Sequence, residues 1–270
     1  MDMMEWIRCR RSVRTFDGRK LLPEDRARIL EYAESAGNPY GIGISWKLLS
    51  AEDDRLSVPV IAGADTYIAG KMTRQPHAEE AFGYSFEKIV LYAESCGIGT
   101  TWIAGTMDRA GFERAMDLGE NEVMPCVSPL GYPSDRMSVR EMLMRKGIKA
   151  DSRLDFAALF FERDFTVPLT EKRAGGLKNA LEMVRLAPSA VNRQPWRVVL
   201  AEDAAHFYEK RNRGYASGDG WDIQKIDIGI AMCHFACGLE EAERPFEVVV
   251  RDPGISVPDG VRYVSTFVLR

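Results

Sequence analysis

Histidine is scarce in this chain, with His77, His206 and His234 the only three in 270 residues. The one pairing that invites a metal, Cys233-His234-x-x-Cys237, falls at helical spacing on an apolar face and has no matching second cluster. Packing is the better account of it, and no metal site is expected. Cysteine is sparse as well: Cys9, Cys96, Cys126, Cys233 and Cys237 are odd in number and scattered. A chain of this length needs no covalent staples, so free thiols in a reducing cytoplasm are expected. No apolar run approaches the roughly 18 residues of a membrane span, and the start, Met-Asp-Met-Met-Glu-Trp-Ile-Arg, has no signal-like stretch. Charge of one sign is also missing. With 36 Lys and Arg against 40 Asp and Glu the net charge is −4, so no global field holds nucleic acid or an anionic membrane, and positive charge must act locally.

What is present is the balance of a soluble globular protein, 46% hydrophobic and 28% charged, at a length that suits two halves around a shared core. A weak internal repeat supports two halves. Trp46-Lys47-Leu48-Leu49-Ser50-Ala51-Glu52-Asp53 recurs as Trp196-Arg197-Val198-Val199-Leu200-Ala201-Glu202-Asp203. Each copy follows a helix pattern. Pro23 opens the first, Ile29, Leu30, Ala33 and Ala36 mark its face, and Gly37 stops it. Thr170 caps the second, Leu177, Leu181 and Val184 mark its face, and Pro188 ends it.

Downstream, Phe86, Ile89, Val90, Ala93 and Cys96 predict a helix ending at Gly97, and Ile226, Ile230, Cys233 and Cys237 predict one ending at Gly238. Strands are expected over 100–103 and 246–250, then over 123–130 and 262–269. The order in each half is helix, strand, helix, strand, strand, an α+β architecture with repeats over 1–150 and 151–270. The join is expected near 147–168, with Phe156 to Phe161 too apolar to be a free linker. The polar loops 71–82 and 211–221 are candidates for mobile lids.

The polar motifs are not duplicated. Arg10-Arg11-Ser12-Val13-Arg14 gathers three cations and a hydroxyl, enough to hold a phosphate dianion, although a solvated basic turn would look the same. Pro188-Ser189-Ala190-Val191-Asn192-Arg193-Gln194-Pro195-Trp196 offers amide donors and acceptors on a stiff loop, suited to the edge of a planar heterocycle or simply to a turn. Gly97-Ile98-Gly99 follows a helix instead of preceding one. It therefore reads as a helix stop, while its glycines and Ala104-Gly105 would let backbone approach a ligand closely. Trp102 could pack either a ligand pocket or the core.

Taken together, Arg-Arg-Ser-Val-Arg-Thr-Phe, Ala187 to Trp196, Gly97 to Gly105 and Leu130-Gly131-Tyr132-Pro133 resemble the landmarks of the FMN-dependent nitroreductase family, over most of the chain. Ordinary members carry all of these on one chain and dimerise, with FMN at the interface. Here they are divided between the halves. The sequence is therefore similar to a fused two-repeat branch, a single-chain pseudo-dimer with one competent site, expected to be a monomer with a three-layer α-β-α sandwich.

The resemblance implies that Arg10, Arg11, Ser12 and Arg14 hold the FMN phosphate. It also implies that backbone at Ile103, Ala104 and Gly105 lies beside the flavin and that Pro188, Ser189, Asn192 and Gln194 line it. Arg136 and Arg140, after Gly-Tyr-Pro, are further cation candidates. No side chain need be catalytic, since NADH or NADPH reduces the flavin and an acceptor such as a nitroaromatic or quinone reoxidises it in a ping-pong scheme. That no triad or acid–base pair stands out agrees with this. The alternative is an FMN-binding carrier or regulatory protein without turnover.

Overall fold

The computed structural model describes residues 3–214 and 220–270. In chain order the elements are α1 (Met3–Cys9), α2 (Pro23–Ser35), β1 (Ser45–Ser50), β2 (Thr66–Thr73), α3 (Ala78–Ser95), α4 (Arg109–Ala115), β3 (Glu122–Val123), β4 (Val127–Leu130) and α5 (Val139–Gly147). There follow α6 (Phe156–Leu159), β5 (Phe160–Glu162), α7 (Glu171–Ala174), α8 (Lys178–Leu186), β6 (Trp196–Ala201), β7 (Ala204–Lys210), α9 (Ile223–Glu241), β8 (Phe246–Val249) and β9 (Val261–Leu269). The fold is mixed α+β. No helix among the described residues is long and apolar enough to cross a membrane.

The chain divides into two compact units, one of Cys9–Ala78 and Ser85–Ile148, the other of Met1–Arg8, Glu79–Tyr84 and Lys149–Arg270. In the first, β2 is the centre of a 4-stranded sheet, flanked by β1 on one side and by β3 and β4 in succession on the other. Leu49, Tyr67, Ala69, Ile103, Phe112 and Val127 are buried together in its core. The other unit holds a 5-stranded sheet in the order β5-β6-β7-β9-β8, parallel only between β5 and β6. Phe207, Phe235, Phe246 and Phe267 interlock within it, with ring centroids 5.0 to 5.5 Å apart.

The structure departs from the sequence expectations in identifiable ways. Each strand that carries the repeated tryptophan turns into an antiparallel partner, β2 or β7, so the order in each unit gains a strand. Thr66–Thr73 and Ala204–Lys210 are buried along most of their length and lack the alternation that betrays a half-exposed strand. The helix expected after Thr170 does start there, with Thr170 accepting from the Arg173 N–H. It is then broken at Gly175, whose φ of 54° and ψ of −130° no helix permits, and resumes as α8. The strand expected over 100–103 is reduced to bridges at Thr100 and Ile103. Phe156 to Phe161 does pack, forming α6 and the start of β5, with Leu159 and Phe160 fully buried.

Gly238 does not end its helix. α9 runs on to Glu241, and a Cβ on Gly238 would lie 2.5 Å from the Ala180 Cα, so this glycine admits α8. The residue that takes the left-handed turn after α9 is Glu243, at φ 50°, as Gly97 does after α3 at φ 72°. Both ends close in the same pattern. Ile98 N bonds to Ala93 O and Gly97 N to Glu94 O after α3; Arg244 N bonds to Leu239 O and Glu243 N to Glu240 O after α9. The two left-handed ends lie 146 residues apart, five more than the separation of Gly97 and Gly238.

Of the two expected lids, 71–82 consists largely of the end of β2 and the start of α3, because Ala78, Ala81 and Phe82 are buried and anchor it. In 211–221, residues 215–219 lie outside the described residues.

Candidate functional site

Residues 10–17 form an extended segment bonded to three others. Val13 N donates to Thr100 O and Phe16 N to Ala62 O, each at 2.8 Å, and Asp17 N donates to Tyr132 O at 3.0 Å. Gly99 and Gly131 explain themselves here. A Cβ on Gly99 would meet Val13 and Pro133 at 3.0 Å, and one on Gly131 would meet the Phe16 ring at 2.8 Å. Gly97 is the helix stop that its place in the sequence suggests.

The arginines of this segment face buried carboxylates without being satisfied by them. Arg10 Nε is 3.8 Å from Glu87 Oε1, and Arg11 Nη1 is 3.6 Å from Glu141 Oε1. Both distances exceed a hydrogen bond. Glu141 follows its cap Ser138, which accepts the Glu141 N–H, in a Ser-x-x-Glu pattern. Its Oε2 accepts from Thr15 Oγ1 at 2.9 Å, and Ser138 N donates to the same hydroxyl. Burial pushes the Arg14 guanidinium below its ordinary range; Glu141 opposes this and Arg145 adds to it. Burial likewise raises the Glu94 carboxyl, against the pull of Arg10 and Arg11.

Four buried guanidinium nitrogens, Arg10 Nε, Arg11 Nη1, Arg14 Nε and Arg14 Nη1, have no hydrogen-bond partner among the described residues. Unmatched buried donors on cations cost free energy, on the order of 1–3 kcal/mol or more each, which a bound anion would recover. The donor set fits a phosphate. Of the further cation candidates, Arg140 donates to Pro59 O at 2.8 Å and Arg136 is exposed. Arg145 is instead the additional cation whose charge reaches Arg14.

The segment after Thr100 is fastened on one side and open on the other. Ile103 N donates to Val127 O, and Arg109 gathers the carbonyls of Ala104, Met124 and Pro125. A Cβ on Gly105 would meet nothing within 4 Å, and the Ala104 and Gly105 N–H groups have no hydrogen bond among the described residues. Trp102 packs against Phe86 at 4.6 Å, and its indole N–H donates to Glu87 Oε2 at 2.9 Å.

The Pro188–Trp196 loop belongs to the other unit. Val191, Asn192 and Gln194 all have positive φ, between 42° and 57°. The amide side chains expected to face a ligand are engaged within their own unit. Asn192 Nδ2 donates to Lys149 O and Ser152 O, and Gln194 Oε1 accepts from Leu154 N at 2.9 Å. Gln194 Nε2 is turned toward Asn192, and Ser189 Oγ accepts from Gln194 N. Fully buried Asp227 on α9 accepts from Ala190 N, and burial holds its carboxyl well above the usual range. Glu87, Glu141, Arg145 and Asp227 were not among the sequence candidates. Only the Ser-x-x-Glu signature at Ser138 could have flagged any of them.

A family model described as "Putative TM nitroreductase" matches residues 2–239. The chain belongs to this nitroreductase family. A Thermotoga maritima protein described in the same terms has a structure that superposes with a TM-score of 0.66 at 21% identity, over 100% of this chain and 94% of that one. The nitroreductase-family fold is thus shared along the whole length. A protein of that description from Desulfovibrio desulfuricans, solved in complex with FMN, covers 52% of this chain and 94% of its own at 18% identity, with a TM-score of 0.42. A nitroreductase family protein from Clostridium novyi covers 50% and 87% at 19% identity, with a TM-score of 0.43. No curated protein matches the sequence.

Proposed function

We propose that this nitroreductase-family chain is an FMN-dependent oxidoreductase that takes electrons from NADH or NADPH and passes them to a small, flat, electron-poor acceptor such as a nitroaromatic or quinone. The observation that carries this is the set of unmatched buried guanidinium nitrogens on Arg10, Arg11 and Arg14, in the motif that resembles the family's phosphate-binding landmark. Those three residues, with Ser12 beside them and Arg145 adding charge, are assigned to the phosphate. The open backbone at Ile103, Ala104 and Gly105 is assigned to the flavin ring. Pro188, Ser189, Asn192 and Gln194 are assigned to the same cofactor on the sequence resemblance. Their inward amides leave Asn192 and Gln194 the task of fixing the loop's left-handed backbone. Arg136 and Arg140 are retained as outer cations. Bound FMN supplies an isoalloxazine ring that accepts and returns electrons in a ping-pong cycle, so the chain itself needs only to bind, orient and shield.

The chain is further proposed to be a monomer made of two related repeats, 1–150 and 151–270, acting in the cytoplasm. The recurring helix ends at a 146-residue offset support the repeat. The test is the visible spectrum of the purified protein, followed anaerobically after NADH or NADPH is added. One FMN per chain that bleaches and is reoxidised by a quinone is the expected result. Bound flavin that no nicotinamide bleaches would favour a carrier, and failure to bind added FMN would overturn the assignment.

A further inference from the structure

We propose that Glu87 is a positioning residue: it gives up Arg10 to the incoming phosphate and transmits the change to Trp102. This rests on Arg10 being a phosphate ligand, as argued above. The Glu87 side chain is fully buried on α3, and that of Arg10 is only 6% exposed. The two carboxylate oxygens stand in different relations to their neighbours. Oε2 accepts a hydrogen bond from the Trp102 indole N–H at 2.9 Å, whereas Oε1 attracts Arg10 Nε across 3.8 Å without bonding to it.

A guanidinium in that position is attracted but not anchored, because its Nε has no hydrogen-bond partner among the described residues. A dianion that offers direct charge-assisted bonds competes well for it. Once Arg10 turns toward the anion, the carboxylate has more charge to place on the Trp102 indole N–H, and in a low-dielectric surrounding that bond strengthens. Trp102 is well placed to register this. It directly precedes Ile103, Ala104 and Gly105, and it packs edge-on against Phe86, whose ring in turn meets Trp46 at 5.2 Å. One carboxylate thus joins the cationic end of the candidate site to its open-backbone end.

The experiment compares FMN with riboflavin, which lacks the phosphate. Uniformly ¹⁵N-labelled, ligand-free protein is titrated with each, and the Trp102 indole N–H is identified by its loss in Trp102→Phe. FMN is expected to move that resonance further downfield than riboflavin does. In Glu87→Gln the extra movement should vanish, while the preference for FMN over riboflavin rises severalfold because no carboxylate competes for Arg10. Equal movement by the two flavins, with FMN still preferred, overturns the exchange and leaves the arginine assignment standing. An unchanged preference in Glu87→Gln also overturns it. Absence of any preference for FMN overturns the arginine assignment and the exchange with it. The wild-type comparison decides the matter even if the variant fails to fold.

Discussion

Gly83 and Gly229 make reciprocal contacts. A Cβ on Gly83 would lie 2.1 Å from the Ile226 carbonyl oxygen, and a Cβ on Gly229 would lie 2.0 Å from the Glu80 carbonyl oxygen. Each glycine thus meets the backbone three residues before the other, and the two are 146 residues apart. Mutual contacts of this kind are what the proposed two-repeat arrangement requires. The Gly97 and Glu243 helix ends share the same offset. Backbone cannot retreat as a side-chain tip can, so Gly83→Ala and Gly229→Ala should each lower stability by about 3 kcal/mol or more, the upper range for overpacking. Urea unfolding would measure this, with Gly105→Ala as a control expected to cost little at its open position.

Arg14 gives a prediction with opposite signs in two measurements. Replacing it by Met removes a buried cation whose Nε and Nη1 are unmatched. The flavin-free protein should gain about 1 kcal/mol. FMN should bind at least about tenfold more weakly, roughly 1.4 kcal/mol, while riboflavin is unaffected. A parallel loss for both flavins would contradict the phosphate role.

The helix ends offer a milder test. Glu243 occupies a left-handed position that favours glycine. Glu243→Gly should therefore raise stability by roughly 0.5–1 kcal/mol, and Gly97→Ala should lower it by a similar amount. Thermal unfolding resolves both.

Stability should fall as pH rises from 5 to 8. Burial, aided by Glu79 and Glu209, lifts the Glu80 carboxyl from an ordinary value near 4.5 to about 7, against the pull of Lys225 and its own backbone. Burial raises Glu209 and Asp227 in the same direction. A carboxyl raised on folding keeps its proton more readily in the folded state. Its contribution is complete below the unfolded value and is lost as pH passes the folded one. Glu80→Gln should flatten the slope by up to about 3 kcal/mol across that window. An unchanged slope would show that Glu80 does not titrate there.

Legibility in the sequence followed what each position must satisfy. Helices marked by a periodic face and a start signal, such as α2 with Ile29 and with Pro23 in its first turn, could be read directly. α9 could be placed but not bounded. Residues Ile226 to Leu239 are buried on every side, so no polar face marks its course, and Gly238 passed for a stop when it was a contact. The buried strands β2 and β7 were hidden for a related reason. The arginine motif announced itself by composition. Glu87 and Glu141 did not, because a carboxylate reads as surface until the fold brings it under a cation.

The bond from Asn192 Nδ2 to Lys149 O has a practical consequence for anyone dissecting the gene. A fragment begun at residue 151 would lack that acceptor, and the loop would be loosened at its own anchor. Beginning at Lys149 restores the acceptor, yet it still omits Met1–Arg8 and Glu79–Tyr84, which cluster with Lys149–Arg270. Neither compact unit corresponds to one uninterrupted reading frame. Protease nicking that leaves the pieces together is therefore a gentler way to divide this molecule than cloning its halves.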